Sequence, residues 1–130
     1  SCEEKVIFGL NLATADNATT MIICADSPPE DIRDKIKANN LNEKTIDVYL
    51  DINTGKHRED WNIIGLSGTK NLNDISIRIK EFLDRNKDKS NIRILFYSLS
   101  NILLSVRPDS VLKFLSLVTE RIKGYKATAF

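Results

Sequence analysis

Cysteine and histidine are scarce in this chain. Its 130 residues include two cysteines, Cys2 and Cys24, and one histidine, His57. Two cysteines do not define a disulfide framework, so a reducing, cytoplasmic setting is expected. The histidine lies in a charged run, far in sequence from either cysteine, and this spacing does not match a metal-ligand motif. We therefore expect no metal site and no secreted, disulfide-linked fold.

Long apolar runs and an excess of either charge are also missing. Every apolar run is far shorter than the roughly 20 residues of a membrane-spanning helix, and the N-terminus has no signal-peptide core. Nineteen basic and eighteen acidic side chains leave a net charge of +1. This balance argues against a strong, diffuse field for nucleic acid, and we expect no membrane partner.

Glycine is limited to five residues, and no string reads G-x-x-x-x-G-K-[ST]. That string surrounds phosphates with backbone N–H groups and adds a lysine and a hydroxyl for Mg²⁺. The nearest imitation is the segment 65–70, Gly-Leu-Ser-Gly-Thr-Lys, whose glycine spacing is wrong. We interpret it as a plain turn, with an anion at the following helix start as the alternative.

The overall composition is that of a globular protein, and the apolar pattern is that of an α/β fold. Hydrophobic residues make up 42% and charged residues 28% of the chain, and the length fits one domain, residues 1–130. Helical and strand-like apolar periods alternate, which predicts a three-layer sandwich around a mostly parallel sheet. The predicted helices cover residues 3–14, 28–38 and 108–123, together with a third helix that is capped by Asn71 or Asn73 and ends before residue 85. The predicted strands cover residues 20–25, 46–50, 61–66, 92–97 and 127–130. Residues 51–60 are predicted to form a mobile loop.

Several reactive residue types have a simple structural interpretation. Cys24 lies in an apolar strand and is expected to be an inert core thiol. The start of the second helix carries a predicted capping box, in which Ser27 caps the helix, Pro28 is its first residue and Glu30 completes the box.

Basic residues form a candidate nucleic-acid surface late in the chain. The candidates are Arg107, Arg121, Lys123 and Lys126, with Tyr125 among them. Positive charge near a helix C-terminus is also favoured by the helix dipole, and this second interpretation requires no ligand.

Two parts of the chain resemble a known family. Residues 21–32, Met-Ile-Ile-Cys-Ala-Asp-Ser-Pro-Pro-Glu-Asp-Ile, resemble the second strand and following helix of archaeal KaiC-like and RadA-like ATPases. Residues 94–100, with 111–115 and 121–123, resemble the Walker B strand and the helix after it, and residues 71–77 resemble the helix between. The resemblance implies a truncated RecA-like core.

The departures from that family concern its nucleotide site. Tyr97 stands where the family has an aspartate that organises Mg²⁺, and a phenol cannot replace a carboxylate. Lys5 matches the P-loop lysine, but Glu4 precedes it and Val6 supplies no hydroxyl. Asp26 falls near the family's catalytic glutamate and is one methylene shorter. Lys5, Asp26 and Tyr97 are therefore interpreted as remnants of a nucleotide site.

One strand of that family has no counterpart in this sequence. The family's strand before the P-loop is missing, which predicts unpaired strand edges in the sheet centre. A second copy or another protein could cover them, the sheet could be rearranged, or the sequence could be a fragment. We expect a homo-oligomer or a protein partner.

The residue patterns and the family resemblance lead to three functional hypotheses. The first is a non-catalytic RecA-like domain that acts in protein interaction, assembly or regulation, without a cofactor. The second is an ATP-binding or ATP-hydrolysing module with an atypical site around Lys5, Asp26 and residues 65–70. The third is a nucleic-acid-binding recombinase paralogue that uses the four basic residues named above.

Overall fold

The structure, a computed structural model, describes residues 2–52, 58–60, 62–66, 72–97 and 108–130. Helices and strands alternate along these ranges. In chain order the elements are α1 (Cys2–Ala13), β1 (Thr19–Cys24), α2 (Pro29–Ala38), a short 3₁₀ helix (Glu43–Thr45), β2 (Ile46–Asp51), β3 (Arg58–Asp60), β4 (Ile63–Gly65), α3 (Leu72–Arg85), β5 (Ile92–Tyr97), α4 (Pro108–Ile122) and β6 (Ala127–Ala129).

The strands form one sheet in the order β3-β4-β2-β1-β5-β6. β1 is central and pairs in parallel with β2 on one side and with β5 on the other. β4 and β6 extend the parallel pairing, and only β3 runs antiparallel. The predicted α/β fold with a mostly parallel central sheet is confirmed.

Both faces of the sheet are covered by helices. Alternate residues of β1 enter different clusters, with Ile23 on the face of α3 and α4 and Ile22 on the face of α1 and α2. Both isoleucines are fully buried. A parallel strand that is covered on both faces needs a nearly continuous apolar sequence, and β1 has one. The three-layer sandwich follows from this double burial. None of the described helices has the length and apolar character to cross a membrane.

The predicted capping box of α2 is wrong. The helix begins at Pro29, and Pro28 occupies the N-cap without a side-chain hydrogen bond. Pro28 is extended, with φ −66° and ψ 151°. A residue before proline is sterically disfavoured from the helical region, so Pro29 prevents an earlier helix start. Ser27 is therefore one position too far from the helix to cap it.

The prediction that residues 51–60 form only a loop is also wrong in part. Residues 58–60 form β3, which pairs with β4 so that Arg58 lies opposite Gly65. The sequence Arg-Glu-Asp has no apolar alternation and therefore gives no strand signal. Charged side chains are typical of a protected sheet edge, which is where β3 lies.

The expected unpaired edges in the sheet centre are not found. β5, the strand that resembles the Walker B strand, is paired on one side with β1 and on the other with β6. The sheet is continuous because β1 and β5 pair directly over six residue positions. The edges of the described sheet are β3 and β6.

The core between the sheet and α3 provides a first test of the fold. Phe82 is 1% exposed there, and replacing it with alanine should lower the free energy of unfolding by about 3–5 kcal/mol, because a large cavity is left. Phe8→Ala, at a phenylalanine side chain that is 66% exposed, should change it by less than about 0.5 kcal/mol. Urea unfolding measures both variants, and equal losses would contradict this packing.

Candidate functional site

The carboxyl ends of the central strands bring two of the predicted site residues to one edge of the sheet. Tyr97 ends β5 opposite Cys24 of β1, and Asp26 follows β1 by two residues. The backbone N–H of Ala25 donates to the Tyr97 carbonyl at 3.5 Å, which joins the two strand ends. Ligands of open parallel α/β sheets bind outside this edge, and we therefore take it as the candidate site.

Asp51 is a residue at this edge that the sequence analysis missed. It ends β2 directly opposite Cys24, and its side chain is fully buried. The Ile52 N–H donates to the Cys24 carbonyl at 3.0 Å, and the Leu66 N–H donates to the Asp51 carbonyl at 2.9 Å. A buried carboxyl group at the end of a central strand is unusual, because its desolvation is costly. The available signal was an acidic residue directly after the apolar run Val48-Tyr49-Leu50.

Lys5 lies on the half of α1 that is nearer to this edge. The far end of α1 is fixed at the opposite edge, where the Thr20 hydroxyl donates to the Ala13 carbonyl at 2.6 Å. The helix packs closely on β5 because Gly9 has no side chain, and a Cβ there would lie 3.4 Å from Leu95 Cδ1. Lys5 itself is exposed to solvent.

The carboxyl edge therefore combines carboxylates from β1 and β2 with a phenol from β5. Within the described ranges, no three histidine, cysteine or acidic side chains are grouped so that they could hold a metal ion. Cys24 is fully buried, as the apolar run predicts, and its thiol contacts the Ile22 carbonyl at 3.7 Å. Residues 67–70 and His57 lie outside the described residues.

The predicted basic residues near the end of α4 are engaged with neighbours on the protein. Arg121 Nε donates to the Ser76 hydroxyl of α3 at 2.8 Å, and Lys123 pairs with Glu120 at 3.5 Å. Lys126 is exposed, and Arg107 lies outside the described residues. Arg121 thus joins two helices.

An acidic side chain adjoins these basic residues. The Tyr125 hydroxyl donates to Asp84, whose other carboxylate oxygen pairs with Lys80 at 2.8 Å. These two hydrogen bonds lower the pKa of Asp84. The same bonds to Asp84 raise the pKa of Tyr125 and of Lys80. The surface here is of mixed charge rather than basic throughout.

The β6 edge of the sheet is a second candidate site. The Ile92 N–H donates to the Lys126 carbonyl at 3.0 Å, and the Phe130 N–H donates to the Ile94 carbonyl at 2.9 Å. Successive residues of a strand point their backbone groups to opposite sides. The backbone groups of Ala127 and Ala129 therefore face away from β5, and no described strand pairs with them.

Exposed leucines of α4 lie on the same side of the molecule. At 100° per residue, Leu112 and Leu115 share one flank of α4, opposite the flank of Leu117 and Arg121. Arg121 contacts Ser76 of α3, so the flank of Leu112 and Leu115 is turned away from α3. Leu112 is 66% and Leu115 41% exposed. We name Leu112, Leu115, Ala127 and Ala129 the edge surface.

Comparisons of the chain with protein-family models, with curated proteins and with solved structures found no match. The RecA-like resemblance therefore stays a prediction. The nucleotide roles of Lys5, Asp26 and Tyr97 and the nucleic-acid roles of the basic residues stay predictions as well.

The contact between Tyr125 and Asp84 has a testable effect on proton binding. Asp84→Asn should lower the pKa of Tyr125 toward its ordinary value of 10.0, because the carboxylate that favours the protonated phenol is gone. The ¹³Cζ shift of Tyr125, followed by NMR against pH, measures this pKa. Asp88→Asn, at an exposed residue in the turn that follows α3, is the control and should leave it unchanged. An unchanged pKa in Asp84→Asn would contradict the contact.

Proposed function

We propose that this chain is a non-catalytic RecA-like domain that acts in protein interaction, and that it assembles with a second copy through the edge surface. The observation that carries the proposal is the β6 edge, which no strand of the described ranges covers, beside the exposed Leu112 and Leu115. Unpaired strand edges can accept a further strand, and exposed leucines add apolar area to such a contact.

The two edges of the sheet differ in a way that favours β6 as the interacting edge. β3 has the sequence Arg-Glu-Asp, whereas β6 has the sequence Ala-Thr-Ala. Charged edge strands disfavour pairing with another chain, because their charges would be desolvated. β6 carries no charge and no proline, so nothing in its sequence opposes strand addition.

The edge surface supplies part of the energy that a weak, specific contact requires. Full burial of a leucine side chain stabilises by about 1.5–3 kcal/mol, and a backbone hydrogen bond adds about 0.5–1.5 kcal/mol net. Two leucines and the outward groups of two alanines can thus offset part of the cost of association, estimated at about 4–15 kcal/mol. An interface of this kind also requires contacts beyond the edge surface.

The non-catalytic part of the proposal is supported by the residue types at the carboxyl edge. Tyr97 supplies no carboxylate at the position where the family resemblance expects one for Mg²⁺. Glu4, next to Lys5, would repel a phosphate chain.

Nucleotide binding without hydrolysis is the second candidate function. It is favoured by one observation, the meeting of Asp26, Asp51 and Tyr97 at the carboxyl edge of adjacent parallel strands. For nucleic-acid binding, the engagement of Arg121 and Lys123 with neighbouring side chains is unfavourable.

Assembly through the edge surface can be tested by charge substitution. The wild-type chain should show concentration-dependent dimers in sedimentation velocity at micromolar concentration. The double variant Leu112→Glu/Leu115→Glu should remain monomeric, because a carboxylate buried in an interface is strongly penalised.

The matched control is Leu117→Glu, on the opposite flank of α4, where the wild-type side chain is 37% exposed. It should assemble like the wild type. Circular dichroism verifies that all variants are folded. A wild-type chain that is monodisperse and monomeric, or a double variant that still assembles, would overturn the proposed interface.

Nucleotide binding is tested by titration with Mg²⁺-ATP while the melting temperature is followed. A ligand specific for the folded state raises that temperature, and the non-catalytic proposal expects no rise. Lys5→Ala provides the comparison, because Lys5 is the one cation that the resemblance assigns to the site. A rise that Lys5→Ala abolishes would contradict the proposal and favour the second candidate.

A further inference from the structure

A pocket of about 410 Å³ opens beside β2 and α2, away from the carboxyl edge and from the edge surface. Its volume lies in the range of small-molecule sites, about 300–1,000 Å³. The described residues that supply its polar lining are Arg33, Glu43, Lys44, Asp47, Tyr49 and Asn62. They come from α2, the short 3₁₀ helix, β2 and the turn before β4.

A hydrogen-bond network fixes the guanidinium group of Arg33 in this pocket. Arg33 Nη2 donates to Asn62 Oδ1 at 3.1 Å, and the guanidinium carbon lies 5.4 Å from the centroid of the Tyr49 ring. The Asn62 amide is itself held, since its Nδ2 donates to the Ile46 carbonyl at 3.2 Å. The Tyr49 N–H donates to the Asn62 carbonyl at 2.8 Å. Arg33 is therefore oriented before any ligand arrives.

The Tyr49 hydroxyl is an unused donor in the pocket wall. Tyr49 is 1% exposed, and its hydroxyl has no hydrogen-bond partner of normal geometry among the described residues. Burial raises the pKa of Tyr49 to about 12, although the nearby Arg33 charge offsets part of the rise. The phenol thus keeps its proton at neutral pH. Arg33 and Tyr49 both line the pocket, so an anion held by the guanidinium group would lie close to this donor.

Each acidic residue of the pocket is paired with a cation that does not line the pocket. Asp47 Oδ2 pairs with Arg85 at 2.6 Å and also accepts from Asn86 Nδ2 at 3.3 Å. Glu43 pairs with Lys37 at 3.8 Å. With Asp47 and Glu43 each paired to a cation outside the lining, Arg33, Lys44 and the Tyr49 hydroxyl are donors that the pocket can present to an anion.

We propose that this pocket binds a small oxyanion, a carboxylate or phosphate group of a metabolite-sized molecule, through Arg33, Lys44 and the Tyr49 hydroxyl. Guanidinium, ammonium and phenol groups are all donors, and oxyanions supply only acceptors. This inference is independent of the interface proposed above, because the two surfaces share no residue.

The test is a calorimetric titration of the full chain with two probes, inorganic phosphate and citrate. Saturable binding of one equivalent of at least one probe is expected, and the comparison of the two separates phosphate from carboxylate recognition. Arg33→Gln should weaken that binding by about tenfold or more, because it removes a charge-assisted hydrogen bond. Lys113→Gln, at an exposed lysine on α4 in the opposite layer, is the matched control and should leave the affinity unchanged.

Tyr49→Phe tests the hydroxyl while it keeps the ring beneath Arg33. It should raise the melting temperature of the unliganded chain, because a buried hydroxyl without a partner is removed, and weaken probe binding by about two- to tenfold. An unchanged affinity of this variant for the probe would show that the Tyr49 hydroxyl does not contact the bound anion. Absence of binding by either probe, or binding that Arg33→Gln leaves intact, would overturn the proposal.

Discussion

The double burial of the central strand is the constraint on which the rest of the structure depends. Ile22 and Ile23 are successive residues on opposite faces of β1, and both are fully buried. Burial of each side chain removes apolar area from water only if a helical layer covers its face. In this chain, α1 and α2 cover one face of the sheet, and α3 and α4 cover the other face. Both partner strands of β1 are then parallel to it, so their carboxyl ends meet at one edge.

The same constraint explains where the polar and ionisable side chains are concentrated. The faces are closed by helices, so polar groups gather at the strand ends and at the flanks that the helices leave open. The carboxyl edge collects Asp26, Asp51 and Tyr97, whereas the flank beside β2 holds Arg33 over Tyr49. The two groups differ in character, because carboxylates dominate the first and hydrogen-bond donors the second. One sheet positions both groups.

The parts of the fold that were predictable from the sequence are those with local signals. β1 and β5 are nearly continuous apolar runs, and α3 and α4 have helical apolar spacing, so their positions agree with the prediction within a few residues. β3 could not be predicted, because an edge strand of charged residues has no apolar period. The site was predictable only in part: Asp26 and Tyr97 were named, but Asp51 was not. The contacts of Arg33 with Tyr49 and Asn62 join three elements that are distant in sequence, and no local pattern reports them.

The unequal edges of the sheet limit how far strand addition could extend. β3 carries three charged residues, and β6 carries none. If both edge strands were uncharged, each copy could pair with one neighbour through β3 and with another through β6. Assemblies of unlimited length would then form. If the proposed symmetric contact forms through β6, the charged β3 edges would disfavour any further strand pairing, and growth would end there. The short Arg-Glu-Asp strand would then limit the growth of fibres, besides forming one margin of the sheet.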